Sequence, residues 1–573
     1  MGKAYPAPRA LFPRSRPMTT SPASFVRISA LRPGGHGSGR AALAGLLTLA
    51  LLVGLSSSAD PRPLETHEIF VAQTAREMLE RHDWVLPTFN GEPRLTKPPL
   101  MYWLVMAGME LLGREGRVPE WLARFPSAVS GAVLVLATCL LGSIVYDRRI
   151  GMLAGLFLCG MAGFWEYANT ARPEMLYAAC CSLATLGWVR AMFVPAGPST
   201  RSWWLWWIFG WIGASLAVLA KGPQMPALIG AGLLLHMGLG RVSLRRTHDD
   251  AEGHAPSAAA GRTGRLVAAW LAGIVTFALI STPWFLAVLA RSDAASQVWS
   301  EQLLDKEGGL RNPEQTLLYW LTPHYLWGVP AIMLPWAVLL PFGLAVSWQR
   351  RAAAWQSPAT PLRQPQPIPL SRGRALFWSG LIPVLLMQLT FHRRDYYMLP
   401  ILPMWSVLCA AGVMDFTARL RVPGTGAAGA LLRLPASLGL LVAGAWIVLG
   451  GARWLWSGER WARQEFVERV AQAVAERGRL YTCGVEPSHY LYEIGEPVEA
   501  VSLDRDGAAE FPFDASASPV WVVMTKKHWD RVQELARGRW RGEVLDEWAG
   551  DDGRGEVFGR FIAMDPDGSS PQS

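Results

Sequence analysis

Residues 123–145 read ARFPSAVSGAVLVLATCLLGSIV and residues 150–168 read IGMLAGLFLCGMAGFWEYA, joined by Tyr146-Asp147-Arg148-Arg149. A helix needs about 20 apolar residues to cross a bilayer, so both runs can span, and the basic joint marks a cytoplasmic turn. Working outward, comparable runs fall at 41–58, 174–194, 203–220, 223–240, 266–290, 328–347, 375–391, 397–414 and 434–451. The pattern predicts an α-helical polytopic membrane protein of about eleven spans. The stretch Pro98 to Leu112 is also apolar, but it is short and carries Glu110. It reads as a juxtamembrane or partly inserted helix.

Composition agrees. Of 573 residues, 51% are hydrophobic and 17% charged, against about 25% charged in an ordinary soluble domain. Mean hydropathy is +0.18, which excludes a disordered or wholly soluble chain. The net charge of +9 would suit nucleic acid, but its placement makes it a topology signal. Residues 1–40 hold Lys3, Arg9, Arg14, Arg16, Arg27, Arg32 and Arg40 with no acid, so this segment is expected in the cytoplasm, with the first span retained. Alternation then places the basic segments 147–149, 241–265 and 348–373 and the loop with Arg419, Arg421 and Arg433 inside. It places 59–122, 291–327 and 452–573 outside.

Three domains follow: a basic N-terminal segment 1–40, a membrane domain 41–451 with outer loops 59–122 and 291–327, and an extracytoplasmic domain 452–573. The tail alternates helix-like 465–477 and 527–537 with strand-like 480–483, 519–525 and 557–562, which predicts a small soluble α/β domain. In the first outer loop an amphipathic helix is expected over about Ile69 to His82. Five of the six cysteines lie in apolar runs without metal-ligand spacing, so neither a disulfide framework nor a zinc module is expected. Tryptophan clusters such as Trp203, Trp204, Trp206 and Trp207 suit the membrane interface.

Chemistry gathers outside. The first loop carries Glu65-Thr66-His67-Glu68 and then Lys97-Pro98-Pro99 with Tyr102 and Trp103. Group transfer needs a carboxylate or imidazole to take a proton and cations to stabilise a departing phosphate, and this loop supplies both. Glu174, in Arg172-Pro173-Glu174, sits where one apolar run ends and the next begins. There an ionisable group either faces a polar cavity or serves the helix dipole. Lys221-Gly222-Pro223 interrupts two spans and reads as a functional cation or a snorkelling one. His392-Arg393-Arg394-Asp395-Tyr396-Tyr397 puts two arginines outside, against the positive-inside rule, and arginine's planar fork suits phosphate oxygens.

In order, the chain shows Ala75-Arg76-Glu77-Met78-Leu79, Asp83-Trp84-Val85-Leu86-Pro87, Asn90-Gly91, Lys97-Pro98-Pro99-Leu100 and Arg124-Phe125-Pro126. Glu174, Lys221-Gly222-Pro223, Pro283-Trp284-Phe285, Pro335-Trp336 and Arg394-Asp395-Tyr396-Tyr397-Met398-Leu399-Pro400 follow. This order resembles the bacterial aminoarabinose transferase (ArnT-like) and protein O-mannosyltransferase family of GT-C type membrane glycosyltransferases, over most of 62–415. The resemblance implies about 11–13 transmembrane helices and an inverting transfer from a polyprenyl-phosphate sugar to an extracytoplasmic acceptor: a lipid A-like lipid, another glycan or a protein. The expected place is the inner membrane, multi-pass, with active site and C-terminal domain outside. The family's Asp-Glu before the first-loop helix falls on His67-Glu68, leaving His67, Glu65 or Glu68 as base. Its second acid falls on Glu174, its lysine on Lys97 and its late arginine on Arg394 or Arg393. The glutamate that often precedes that lysine, implicated in metal binding, is Thr96 here.

The resulting expectation names Glu68, Glu174 and His67 as catalytic. Lys97, Lys221, Arg393, Arg394, Tyr396 and Tyr397 would hold the donor phosphate. No residue is assigned to a metal; a divalent metal stays open as cofactor, and nucleic acid is not expected as a partner. Two other classes are a non-catalytic scaffold or sensor and a transporter of lipid-linked sugar. The latter would spread charges along the spans, which carry few.

Overall fold

The structure is a computed structural model. It describes residues 36–56, 62–193, 201–248, 256–301, 322–348, 371–390, 393–419, 427–452, 458–475, 479–501, 518–536, 539–550 and 555–564. His392, part of the outer loop 291–327 and most of the basic segments 1–40 and 348–373 lie outside these residues. The chain divides into two compact units, Met1–Gly45 and Leu46–Ser573, and of the first only the beginning of one helix is described.

Each apolar run is met by helix: α1 (His36–Leu55), α2 (Thr66–Glu80), α3 (Leu100–Leu111), α4 (Glu120–Val145), α5 (Arg148–Cys159), α6 (Ala162–Ala168), α7 (Pro173–Phe193), α8 (Arg201–Ala220) and α9 (Gln224–His248) come first. After them come α10 (Pro256–Leu289), α11 (Ala294–Glu301), α12 (His324–Ile332), α13 (Leu340–Trp348), α14 (Ser371–Met387), α15 (Leu402–Arg419) and α16 (Ala427–Gly451). The expected number of spans is not reached by length and hydropathy. Among the described residues six helices qualify, or eight if two bent pairs are each one span. One pair, α5 with α6, bends by 64° at Gly160-Met161; the other bends by 109° where Pro335, lacking an N–H, cannot continue a helix. The apolar stretches of α1, α3 and α9 are shorter than a full span, and the Pro98 to Leu112 stretch forms the separate helix α3.

Local chemistry sets the helix starts. The Asp147 side chain accepts from Ile150 N at 2.9 Å and caps α5. In α2 the Glu68 carboxylate accepts the Glu65 N–H at 3.0 Å, so the helix begins three residues before the expected Ile69. Leu271, Leu279 and Leu286 of α10 and Leu438, Leu441 and Val448 of α16 are exposed, as lipid-facing side chains should be. Helices α7 and α8 lie unusually close: a Cβ on Gly187 would fall 2.5 Å from Gly210 N. Small residues permit that approach, and it sets the start of α7 beside the end of α8.

The tail folds as α17 (Gly458–Val474), β3 (Leu480–Cys483), α18 (Ser488–Ile494), β4 (Glu499–Val501), β5 (Val520–Thr525), α19 (Lys526–Leu535), β6 (Trp540–Trp548) and β7 (Glu556–Ala563). A separate hairpin, β1 (Thr88–Phe89) with β2 (Glu92–Pro93), lies in the first loop. The tail sheet has the order β4-β3-β5-β7-β6, with β3 parallel to β4 and β5 and the other pairs antiparallel. Along β5, Trp521 and Val523 enter one core while Val520, Val522 and Met524 enter the other, so the sheet is covered on both faces. Strands β4 and β6 and helix α18 were absent from the sequence expectation.

Candidate active site

The site is built around the start of α7. Pro173 opens the helix and Glu174 lies in its first turn, where a carboxylate faces the positive end of the dipole. Glu174 Oε1 accepts from Lys221 Nζ at 3.2 Å, and its Oε2 lies 3.4 Å from Arg172 Nε. Lys221 follows the last residue of α8, placed there by the close α7–α8 packing. Its ammonium sits 4.6 Å from the Tyr396 ring centroid and 4.7 Å from that of Tyr397, while Arg172 lies 5.0 Å from Tyr396 and 5.5 Å from Tyr167. Such rings attract cations through their quadrupoles. Burial pulls the Lys221 ammonium below its ordinary pKa, opposed chiefly by Glu174; Lys97 is close enough to lower it further.

Glu68 occupies a different kind of place. It and Arg124 are both fully buried, with Arg124 Nε 2.8 Å from Oε1 and Nη2 3.0 Å from Oε2. Ala171 N also donates to Oε1 at 2.8 Å, and Arg124 donates to the carbonyls of Arg62 and Pro63. Burial raises the Glu68 carboxyl, but Arg124 and these donors outweigh it and hold the group at about 2. Both Glu68 oxygens thus accept hydrogen bonds within the protein. Glu68 fixes the loop before Glu174, with help from Ser127 Oγ, which donates to Arg172 O at 3.1 Å.

His67 is the exposed residue of this turn. Its pKa is lowered, first by desolvation and then by Arg172, with Glu174 acting in the opposite direction and Arg94 with Arg172. The imidazole is therefore neutral at neutral pH and can take a proton. The two late arginines separate. Arg393 is buried and donates to the Thr390 and Thr322 carbonyls, whereas Arg394 is exposed and near enough to act on Tyr396. Thus the structure gathers His67, Glu174, Lys97, Lys221, Arg394, Tyr396 and Tyr397, while Glu68 is paired with Arg124 and Arg393 with backbone carbonyls. Sequence reasoning missed Arg172, Arg94 and Tyr167 as site residues. Arg124 carried a usable signal, since a charge inside an apolar run needs a buried partner.

Between α7, α8, α9 and α10 an apolar cavity of about 310 Å³ is lined by Trp188, Trp207, Trp211, Pro223, Trp270 and Phe277, and by none of the cluster's charged residues. Pro223 belongs to the same Lys221-Gly222-Pro223 turn. Among the described residues no three of His, Cys, Asp or Glu converge as metal ligands. Glu68 is paired with Arg124, and Glu174 with Lys221 and Arg172.

A cation cluster around one acid thus stands at one end of a bundle of candidate membrane-spanning helices, beside a small α/β domain, and the fold is one shared with solved structures. The ArnT of Cupriavidus metallidurans bound to undecaprenyl phosphate matches with a TM-score of 0.63 at 17% identity, covering 93% of this chain and 99% of that one. An oligosaccharyltransferase of Archaeoglobus fulgidus gives 0.51 at 12% identity, over 88% and 69%. Residues 66–293 match the family described as dolichyl-phosphate-mannose-protein mannosyltransferase. An undecaprenyl phosphate-alpha-4-amino-4-deoxy-L-arabinose arabinosyl transferase of Pseudomonas fluorescens is 25% identical over 368 residues, 62% of this chain and 54% of its own. A protein of Aquifex aeolicus is 32% identical over 174 residues, 30% of this chain and 31% of its own. The chain spans about half or less of the length of these curated relatives.

Proposed function

We propose that this protein moves a sugar from a polyprenyl-phosphate donor to an acceptor at the outer face of the inner membrane. The observation that carries the reading is the Glu174–Lys221–Arg172 cluster, with Tyr396 and Tyr397 against the Lys221 ammonium, at one end of an apolar helical bundle. An anionic head with a long apolar tail is what such a juxtaposition suits.

In the proposed step, an acceptor oxygen attacks the anomeric carbon and the bond from that carbon to the phosphate oxygen breaks. The electron pair leaves with the polyprenyl phosphate, and configuration inverts. His67 takes the acceptor's proton. Lys221, Lys97 and Arg394 stabilise the phosphate, and Tyr396 and Tyr397 hold the Lys221 ammonium in place. Glu174 orients Lys221 and Arg172, and keeps the latter from turning into solvent. Each cation directed at the developing charge contributes about 3 kcal/mol in comparable sites.

The outer location is supported by polarity along the bundle. Arg148 and Arg149 start α5 at the far end of α4 from Arg124, as cytoplasmic cations should. The acceptor is proposed as a lipid A-like lipid, a glycan or a protein. Purified protein in nanodiscs, given undecaprenyl-phosphate aminoarabinose or mannose carrying a radiolabel together with an envelope fraction, should transfer label to the acceptor. Movement of donor between leaflets without transfer would favour a transporter, and neither result would favour a scaffold.

A further inference from the structure

Helix α18 and the start of α17 lie on the first loop, and two of their contacts fall on the turn that presents His67. Arg460 Nη1 is 2.5 Å from Glu65 Oε1, and His489 Nε2 is 3.4 Å from Thr66 Oγ1. Glu65 and Thr66 are the two residues before His67, and Glu68, the one after, is locked by Arg124. His67 alone in this turn is left exposed. Farther along α2, Arg76 donates to Tyr492 O at 3.5 Å, and a Cβ on Gly495 (φ +82°) would collide with its guanidinium. Asn90 exchanges two hydrogen bonds of 2.8 Å with the Val498 backbone, and Arg117 lies 3.0 Å from Glu493. The tail thus holds α2 at Thr66 and Arg76 and the rest of the first loop at Glu65, Asn90 and Arg117, from a folded sheet with its own cores.

From this we infer that Arg460 and His489 of the C-terminal domain are positioning residues, which fix the 65–68 turn so that the His67 imidazole faces Glu174 and Arg172. The inference rests on the sugar-transfer reading for its catalytic consequence, but the bracing itself is independent of it. A base must lie within hydrogen-bond reach of the proton it takes, and displacement by about 1 Å can cost a large factor in rate. His489 is held neutral, at about 3, by its burial and by Arg463, so it meets Thr66 as an uncharged partner.

The full chain in nanodiscs provides the test, with Arg460→Ala, His489→Gln, the double variant and Arg460→Lys compared by hydrogen exchange. The same proteins are assayed with labelled undecaprenyl-phosphate mannose or aminoarabinose and an envelope fraction. The double variant should exchange faster at amides 65–69 while the sheet peptides keep their protection. It should also lower kcat about tenfold with donor KM within about twofold, and Arg460→Lys should restore most of the rate. Arg460→Ala alone touches an exposed pair, so it keeps the fold if the double variant does not. Unchanged exchange at 65–69, or faster exchange with wild-type kcat, overturns the inference. A change confined to acceptor KM also overturns it, by making the domain an acceptor contact. If even the wild-type protein transfers nothing, the sugar-transfer reading fails alone, and the exchange data still decide the bracing.

Discussion

Glu68 and Glu174 show how two acids on one polar face receive different work. Glu68 is neutralised by a buried guanidinium, so removing its charge strands Arg124 in a closed site. Glu68→Gln should destabilise the protein by about 3 kcal/mol, seen as a lower thermal unfolding midpoint in detergent. Because Glu68 is held at about 2 against an ordinary 4.5, its stabilisation is complete above that ordinary value and is lost as pH falls toward 2. His67 behaves oppositely in kind. Its lowered pKa makes the neutral base available above a value below 6.5, so the transfer rate should climb through that value and then level. His67→Gln should abolish this limb in a rate-against-pH series. These roles were only partly legible. The His67-Glu68 pair could be located in the sequence, but which member was free depended on Arg124, 56 residues away.

At the scale of elements, motifs that looked like a list become joints. The Glu77 carboxylate accepts from Thr88 Oγ1 at 2.7 Å and from Asn90 N at 2.7 Å, which shapes the hairpin whose turn has Asn90 and Gly91 at positive φ. Asp83 accepts from Val85 N and pairs with Arg291, while Trp284 Nε1 donates to Val85 O at 2.8 Å. Thus the Asp-Trp-Val-Leu-Pro and Pro-Trp-Phe motifs meet across the first loop and α10. Such partners are far apart in sequence and nothing in periodicity reveals them; the existence of helices and of β3, β5 and β7 was legible because apolar pattern is local. β6 was not, since its residues Glu543, Asp546 and Glu547 hide its pairing with β7. The Gly187–Gly210 contact makes a sharper prediction. Gly187→Leu should force α7 from α8, separate Glu174 from Lys221 and cut transfer at least tenfold, measured beside a thermal unfolding midpoint to separate misplacement from collapse.

On the whole molecule, the helical bundle, the first loop and the α/β tail converge at the end where α7 begins and α8 finishes. Basic residues mark the other end of α4. Alkaline phosphatase fused after residue 452 should therefore be active in cells, and after Arg149 inactive; the reverse would put the site in the cytoplasm. Among the described residues six helices, or eight counting each bent pair as one, are long and apolar enough to span, because bends at Gly160 and Pro335 divide two runs and the apolar stretches of α1 and α9 are short. In the proposed reaction Lys221, steadied by Glu174 and two tyrosines, holds a polyprenyl phosphate. The decisive measurement is binding of undecaprenyl phosphate to wild-type and Lys221→Ala protein in nanodiscs. Loss of one charge-assisted contact of about 1.5–3 kcal/mol should weaken binding roughly 10- to 100-fold, whereas equal affinity of the two proteins would contradict it.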